Sequence, residues 1–256
     1  MSVRGFILLF FFLSTSQAAI AEARVIRAIV SDSNAPPFAM FDNNNVLAGG
    51  ISKDILEVLV SRDQLVLQYL PIPRGRVEQW LLRDDADIAC FLNPAWVEQA
   101  EQLLWSLALF STRQVIVRRS SSPAIQKMTD LLGKRIGTDR GFSYPEFDMM
   151  FSQGLLIRDD AISLESNLGR LEKQRLDAAL TVDLAFQYYQ QKHDSEGLAA
   201  DTLWTQPDTI YCALNPHQPE LAQQIQQILQ QMTEDGSIAK ILQRYKPTQA
   251  LPRSDN

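Results

Sequence analysis

Arg24-Val25-Ile26-Arg27-Ala28-Ile29-Val30 is an apolar-rich run of strand length. It is followed by Gly50-Ile51-Ser52-Lys53-Asp54-Ile55-Leu56-Glu57-Val58-Leu59-Val60, where Ile51, Ile55 and Leu59 recur at helical spacing. Residues 65–70 then read as a strand, 74–83 as a helix and 87–92 as a strand again. Strand and helix in alternation is the pattern of an α/β architecture with mostly parallel strands.

The same alternation continues outward. A strand is expected at 114–117, a helix near 125–132, a strand at 134–137 and a helix from about Tyr144. A helix at 164–173, a strand at 176–182, a helix at 184–191 and a strand at 209–214 complete the second set. Leu221, Ile225, Ile228, Leu229 and Met232 then mark one buried helix face, with Pro219 suited to its first turn and the surrounding glutamines on the wet side. Asp235-Gly236 breaks that helix, and Ile238, Ile241, Leu242 and Tyr245 restart a short one before Pro247. No fixed-period repeat and no long flexible linker interrupt the pattern, so two lobes must be joined by short ordered connections.

With 256 residues, 46% of them hydrophobic and 21% charged, the chain can bury a substantial core, which excludes disorder as the dominant state. Its 24 basic against 30 acidic side chains leave a net charge of -6 and no broad positive surface, so nucleic acid is not an expected partner. At the N-terminus Arg4 precedes an apolar run from Phe6 to Leu13, with small residues at Ser16-Gln17-Ala18 and Ala19-Ile20-Ala21. This is the layout of a cleavable export signal over residues 1–21. A membrane anchor would need about 20 apolar residues, and Ser14, Ser16 and Gln17 interrupt this run early. The mature chain is expected to be soluble and not membrane-spanning.

Cys90 and Cys212 are the only cysteines. An exported chain permits one disulfide between them, across what both contexts suggest are strands; the alternative is two separate buried thiols. Catalytic and metal constellations are missing. His193 and His217 sit in polar settings unsuited to a nucleophile-base pair, and there is neither a Cys-x-x-Cys pair nor a His-Glu-x-x-His helix. The glycines 133, 137 and 141 do not match a phosphate loop, and Asp84-Asp85 and Asp159-Asp160 read as solvated turn residues. No metal or cofactor is expected, and the remaining chemistry is recognition.

Several segments resemble the bacterial periplasmic solute-binding proteins of the amino-acid-binding type, extracellular solute-binding family 3. Asp32-Ser33-Asn34-Ala35-Pro36-Pro37-Phe38 with Gly49-Gly50-Ile51-Ser52-Lys53-Asp54-Ile55-Leu56 is similar to that family's opening loop and first helix. Asp130-Leu131-Leu132-Gly133-Lys134-Arg135-Ile136-Gly137 resembles the start of its second lobe, and Arg175-Leu176-Asp177-Ala178-Ala179-Leu180 a late strand of that lobe. Glu234-Asp235-Gly236-Ser237-Ile238-Ala239-Lys240-Ile241-Leu242 is similar to its closing helix. The resemblance implies a type II periplasmic-binding-protein fold: two α/β lobes joined by two crossover strands, with ligand held in the cleft by hinge closure. Lobe 1 would span 24–112 plus 206–256 and lobe 2 would span 113–205, which puts both cysteines near the crossings and favours the disulfide.

The family's amino-acid binders hold the ligand carboxylate with an arginine after the last strand of lobe 1's first half. Here no Arg or Lys lies between Arg83 and Arg113, and the equivalent stretch is Asn93-Pro94-Ala95-Trp96. Ala35 stands where a tyrosine is often seen, and Asp183 falls one residue later than the family's amino-group aspartate. Arg74 and Arg76 open a helix at a cleft position and offer a guanidinium fork beside free backbone N–H groups. They oppose the helix dipole there, and the alternative is that they are exposed and paired with Glu78. Gly141-Phe142-Ser143 matches the family loop that offers N–H and hydroxyl groups; Ser143 equally suits a helix N-cap, with Glu146 at the capping-box position. Phe38, Trp96, Trp105 and Phe142 are candidate cleft walls or ordinary core, and Asp32 and Asp54 contact ligand or shape the first loop.

The expectation is a monomeric periplasmic receptor, not an enzyme. It would capture a small polar, carboxylate-bearing ligand for an ABC-type inner-membrane importer or a sensor, using Arg74, Arg76, Phe38, Asp32, Asn93, Trp96, Gly141, Phe142, Ser143 and Asp183. The alternative is a cyclohexadienyl or prephenate dehydratase-like enzyme on the same scaffold, with Asp183 or Glu146 as general acid.

Overall fold

The computed structural model describes residues 23–193 and 195–246. The export signal expected at 1–21 and the stop at Pro247 lie outside the described residues. The chain runs β1 (Arg24–Ile29), β2 (Met40–Phe41), β3 (Leu47–Gly49), α1 (Ile51–Ser61), β4 (Leu65–Leu70), α2 (Val77–Leu82) and β5 (Ile88–Leu92). Two short strands follow, β6 (Leu104–Trp105) and β7 (Phe110–Thr112). Next come β8 (Gln114–Arg119), β9 (Arg135–Asp139), α3 (Pro145–Ser152), β10 (Ile157–Ala161), α4 (Leu164–Glu172), β11 (Ala178–Val182), α5 (Asp183–Lys192) and β12 (Leu198–Asp201). β13 (Asp208–Leu214), α6 (Pro219–Glu234) and α7 (Ser237–Gln243) close it.

Two mixed sheets result. The first has the order β4-β1-β5-β13-β6, with β7 also paired to β13; the second has the order β10-β9-β11-β8-β12. β1 lies parallel to β4 and β5, and β9 parallel to β10 and β11. Parallel neighbours need crossovers, which α1, α2, α3 and α4 supply. β13 and β8 run antiparallel to their neighbours, so neither sheet is as parallel as the alternation suggested. Each marks a passage between sheets: the chain leaves the first through β7 into β8 and returns from β12 into β13. Thr112 and Asp208 pair where those two passages run side by side.

The periodic faces pack as their spacing demands. Ile51, Ile55, Leu56 and Leu59 of α1, and Leu221, Ile225, Ile228, Leu229 and Met232 of α6, are buried against the first sheet's core. Gly50, before α1, has φ of 115°, and a Cβ there would meet Phe38 O at 2.7 Å, so the first ligand-side loop requires glycine. Cys90 of β5 stands opposite Cys212 of β13 with Cα atoms 4.0 Å apart, and the two form a disulfide.

Several expectations change. Residues 125–132 hold only a 3-10 turn at Met128–Leu131, and Arg74–Arg76 is a 3-10 turn ahead of a shorter α2. Asp159 and Asp160 lie on β10 and pair with Arg135, Arg170 and Arg158 rather than with water alone. Ser143 does not cap α3: Tyr144 occupies that position and no side chain caps it.

Candidate functional site

The ends of the two sheets face each other across a small cavity of about 50 Å³, partly open to solvent. From the first sheet's side come Ala35, Phe38, Phe91 and Trp96; from the second come Gln114, Asp139, Phe142, Ser143, Tyr144, Thr181, Val182 and Ala185. Phe91 reaches it through an unusual backbone. Its φ of 64° places a bulky residue in the left-handed region, beside the register shift between Tyr211 and Cys212. Such strain persists only where the surroundings impose it. The Phe91 ring stacks on Phe38 at 3.7 Å between centroids and meets Trp96 edge-on at 6.2 Å.

Polar groups are few and only partly partnered. Asp139 ends β9, is 6% exposed and accepts from Asn167 Nδ2 at 3.1 Å through Oδ1, while no donor among the described residues reaches Oδ2. Burial, and secondarily the nearby Asp160 charge, push its carboxyl up to about 7 against the one Asn167 bond. Tyr144 accepts from the Asp139 backbone N–H at 3.0 Å, which fixes this corner. The Ser143 and Thr181 hydroxyls make no hydrogen bond among the described residues and line the same cavity.

Trp96, Phe142 and Ser143 continue into a wider mouth that Arg74, Gly75, Gly141 and Arg158 also line. Arg74 is 6% exposed; its Nη2 reaches Trp96 O at a long 3.4 Å, and its guanidinium sits 5.7 Å above the Phe142 ring. Its Nε has no partner among the described residues. Burial pulls the group down to about 10, opposed by the charge of Glu78, so it stays cationic at neutral pH. The alternative, a pairing with Glu78, does not form: that carboxylate accepts from the backbone of Glu98 and Gln99 at 3.2 and 2.7 Å. Gly141 has φ of 80°, and a Cβ there would stand 2.9 Å from Gly75 N, so the two lobes' loops touch at a point where position 141 admits only glycine.

A model of the bacterial extracellular solute-binding proteins, family 3, matches residues 28–248. The chain belongs to that family. Among solved structures, an ancestral arginine-binding protein bound to arginine is 19% identical with a TM-score of 0.76, covering 88% of this chain and 99% of that one. A histidine kinase sensor domain with similarity to periplasmic binding proteins is 15% identical at a TM-score of 0.75, covering 88% and 96%. An ancestral amino-acid-binding protein described as a precursor of cyclohexadienyl dehydratase is 17% identical at 0.71, covering 87% and 96%. At these identities the likeness is one of fold. No curated protein matches the chain.

For this family 3 chain, the structure gathers Phe38, Trp96, Phe142, Ser143, Arg74 and Gly141 around the cleft. It leaves four expected residues elsewhere. Arg76 is exposed on the 3-10 turn, outside the lining, and Asp32 is exposed with its carboxylate on the Ser33 hydroxyl at 3.0 Å. Asn93 spends both ends of its amide on the fold, donating to Thr209 O at 2.8 Å and accepting from Ala95 N at 2.8 Å. Asp183 Oδ1 accepts from Thr112 Oγ1, Arg113 N and Leu184 N at 3.0, 3.2 and 2.7 Å, so it clamps the crossing strand to α5. Trp105, on β6, packs edge-on to Tyr211, and Asp54 is held by Tyr245 and Arg244 of the closing helix region. Sequence reading missed Asp139 and Gln114; the signal for Asp139 was an acid ending a strand read only as far as Gly137.

Proposed function

We propose that this family 3 chain is a periplasmic receptor that captures a small zwitterion with an apolar body. Its two lobes, 24–112 plus 206–256 and 113–205, close over the ligand and present it to an inner-membrane importer. Export would proceed through the signal at 1–21. The observation that carries the reading is a pair of buried, under-partnered groups, the Arg74 cation and the Asp139 carboxyl, beside one continuous lining of Trp96, Phe142 and Ser143. A buried charge is costly unless paired, so a ligand that brings a carboxylate to Arg74, and an ammonium beside which Asp139 ionises, satisfies both. In this arrangement Arg74 takes over from the arginine that the family places after the strand ending at Leu92, and Asp139 replaces the aspartate displaced to position 183. Phe38, Phe91 and Phe142 then enclose the apolar body.

Thermal melting against the twenty protein amino acids, with their deaminated and decarboxylated analogues, tests this. The full amino acid should raise the midpoint, and each analogue lacking one charge should bind at least about tenfold more weakly. A folded protein indifferent to every amino acid would sink the reading.

One observation favours a second reading. A carboxyl held near neutrality in a cavity suits general acid–base chemistry, so an enzyme on this scaffold would use Asp139; Asp183 is committed to the hinge. Conversion of prephenate or arogenate to an aromatic product, lost in Asp139→Asn, would establish it.

A further inference from the structure

Gln114 begins β8, directly after the chain passes between the sheets, and its side chain lines the cavity while remaining only 7% exposed. A carboxylate meets its amide: Nε2 lies 3.4 Å from Glu146 Oε2 on α3. A carboxylate accepts only from the amide nitrogen, so NH2 faces the acid and Oε1 faces away. That oxygen is buried and has no partner among the described residues. The main chain is equally fixed, paired with Val182 of β11 and accepting from Thr202 Oγ1 at 3.2 Å.

We propose that Gln114 is a specificity-determining residue whose Oε1 accepts an N–H from the ligand's ammonium group. Glu146 is the positioning residue that holds the amide in that orientation. This rests on the zwitterion reading and narrows it. The aromatic lining alone would suit a quaternary ammonium through cation–π attraction, which needs no N–H. An oriented acceptor at Gln114, lining the same cavity as Asp139, adds directional demand that only an ammonium bearing N–H bonds meets. Fully methylated betaines are therefore excluded.

Isothermal titration of the full chain tests this with whichever of the twenty protein amino acids most raises the wild-type midpoint, and with its N-methyl and N,N,N-trimethyl derivatives. The wild type should prefer the free amino acid over the trimethyl form by at least about tenfold, the worth of one good hydrogen bond to a charged group. Gln114→Leu should weaken the free amino acid by a similar factor and shrink that preference to a few-fold. Glu146→Gln, which lets the amide turn, should shrink it partly, and this variant serves if Gln114→Leu does not fold. An unchanged preference in these variants, or a trimethyl form that binds the wild type as well as the free amino acid, overturns the inference while leaving the receptor reading intact. If no amino acid raises the midpoint, the receptor reading itself has failed and this inference falls with it.

Discussion

Asp139 and Arg74 are the residues on which the site's energetics turn, and each makes a separable prediction. Asp139 has its carboxyl raised from 3.8 to about 7 in the folded chain, so the native state keeps a proton that the unfolded state has lost. The sign follows from linkage: stability contributed by this group is full below about pH 4 and declines as pH rises, reaching its floor above about 7. Asp139→Asn removes that decline. The midpoint difference between variant and wild type should therefore grow in the variant's favour from pH 4 to pH 7 and then level off, as read by melting in matched buffers. Arg74 is a buried cation with no carboxylate partner among the described residues, so Arg74→Met should raise the ligand-free midpoint while abolishing the response to amino acids. A variant that melts lower and still binds would show that Arg74 serves the fold alone. Arg74, Phe142 and Ser143 were legible because the resemblance and the loop composition marked them. Asp139 and Gln114 were not, because the sequence around a buried acid or amide does not say which neighbours will leave it unpaired.

Among the elements, β13 does most to define the molecule. It arrives after the second sheet is complete, inserts between β5 and β6, and carries both the disulfide to β5 and the return passage at Asp208. The bridge spans a sequence separation of 122, so in the loop-entropy account its removal should cost roughly 2–5 kcal/mol. Denaturant melts of Cys90→Ser, Cys212→Ser double variant against wild type measure this; equal midpoints would mean that strand pairing alone fixes the register. The helices and long parallel strands were readable from periodicity. The short strands β2, β3, β6, β7, β10 and β12 were not, because two to five residues with mixed burial, as in Ile157–Ala161, carry no usable period. Likewise the 3-10 turn at Met128–Leu131 shares a helix's local composition but has Leu131 as its only buried residue.

At the scale of the whole molecule, the two sheets with paired crossings were foreseen, and the manner of their closure was not. Gly75 and Gly141 meet backbone to backbone, Arg74 reaches across to Phe142, and the Tyr188 hydroxyl lies 3.2 Å from Met40 Sδ on the other side of the seam. The described state is thus a closed one. Gly141→Ala puts a methyl 2.9 Å from Gly75 N and asks an alanine to hold φ of 80°, so it should keep the cleft ajar. Small-angle scattering should show the wild type contracting on addition of a bound amino acid and the variant failing to contract. Equal contraction would mean that the loops separate without cost.

In the proposed receptor one cleft satisfies Arg74 and Asp139 with a single zwitterion. Isothermal titration of the amino acid that most raises the midpoint, into wild type, Arg74→Met, Asp139→Asn and the double variant, tests it most directly. The account predicts that each single variant loses at least about tenfold in affinity, and that only in Arg74→Met does the analogue without the carboxylate bind as well as the full amino acid. Undiminished affinity in both single variants would contradict it.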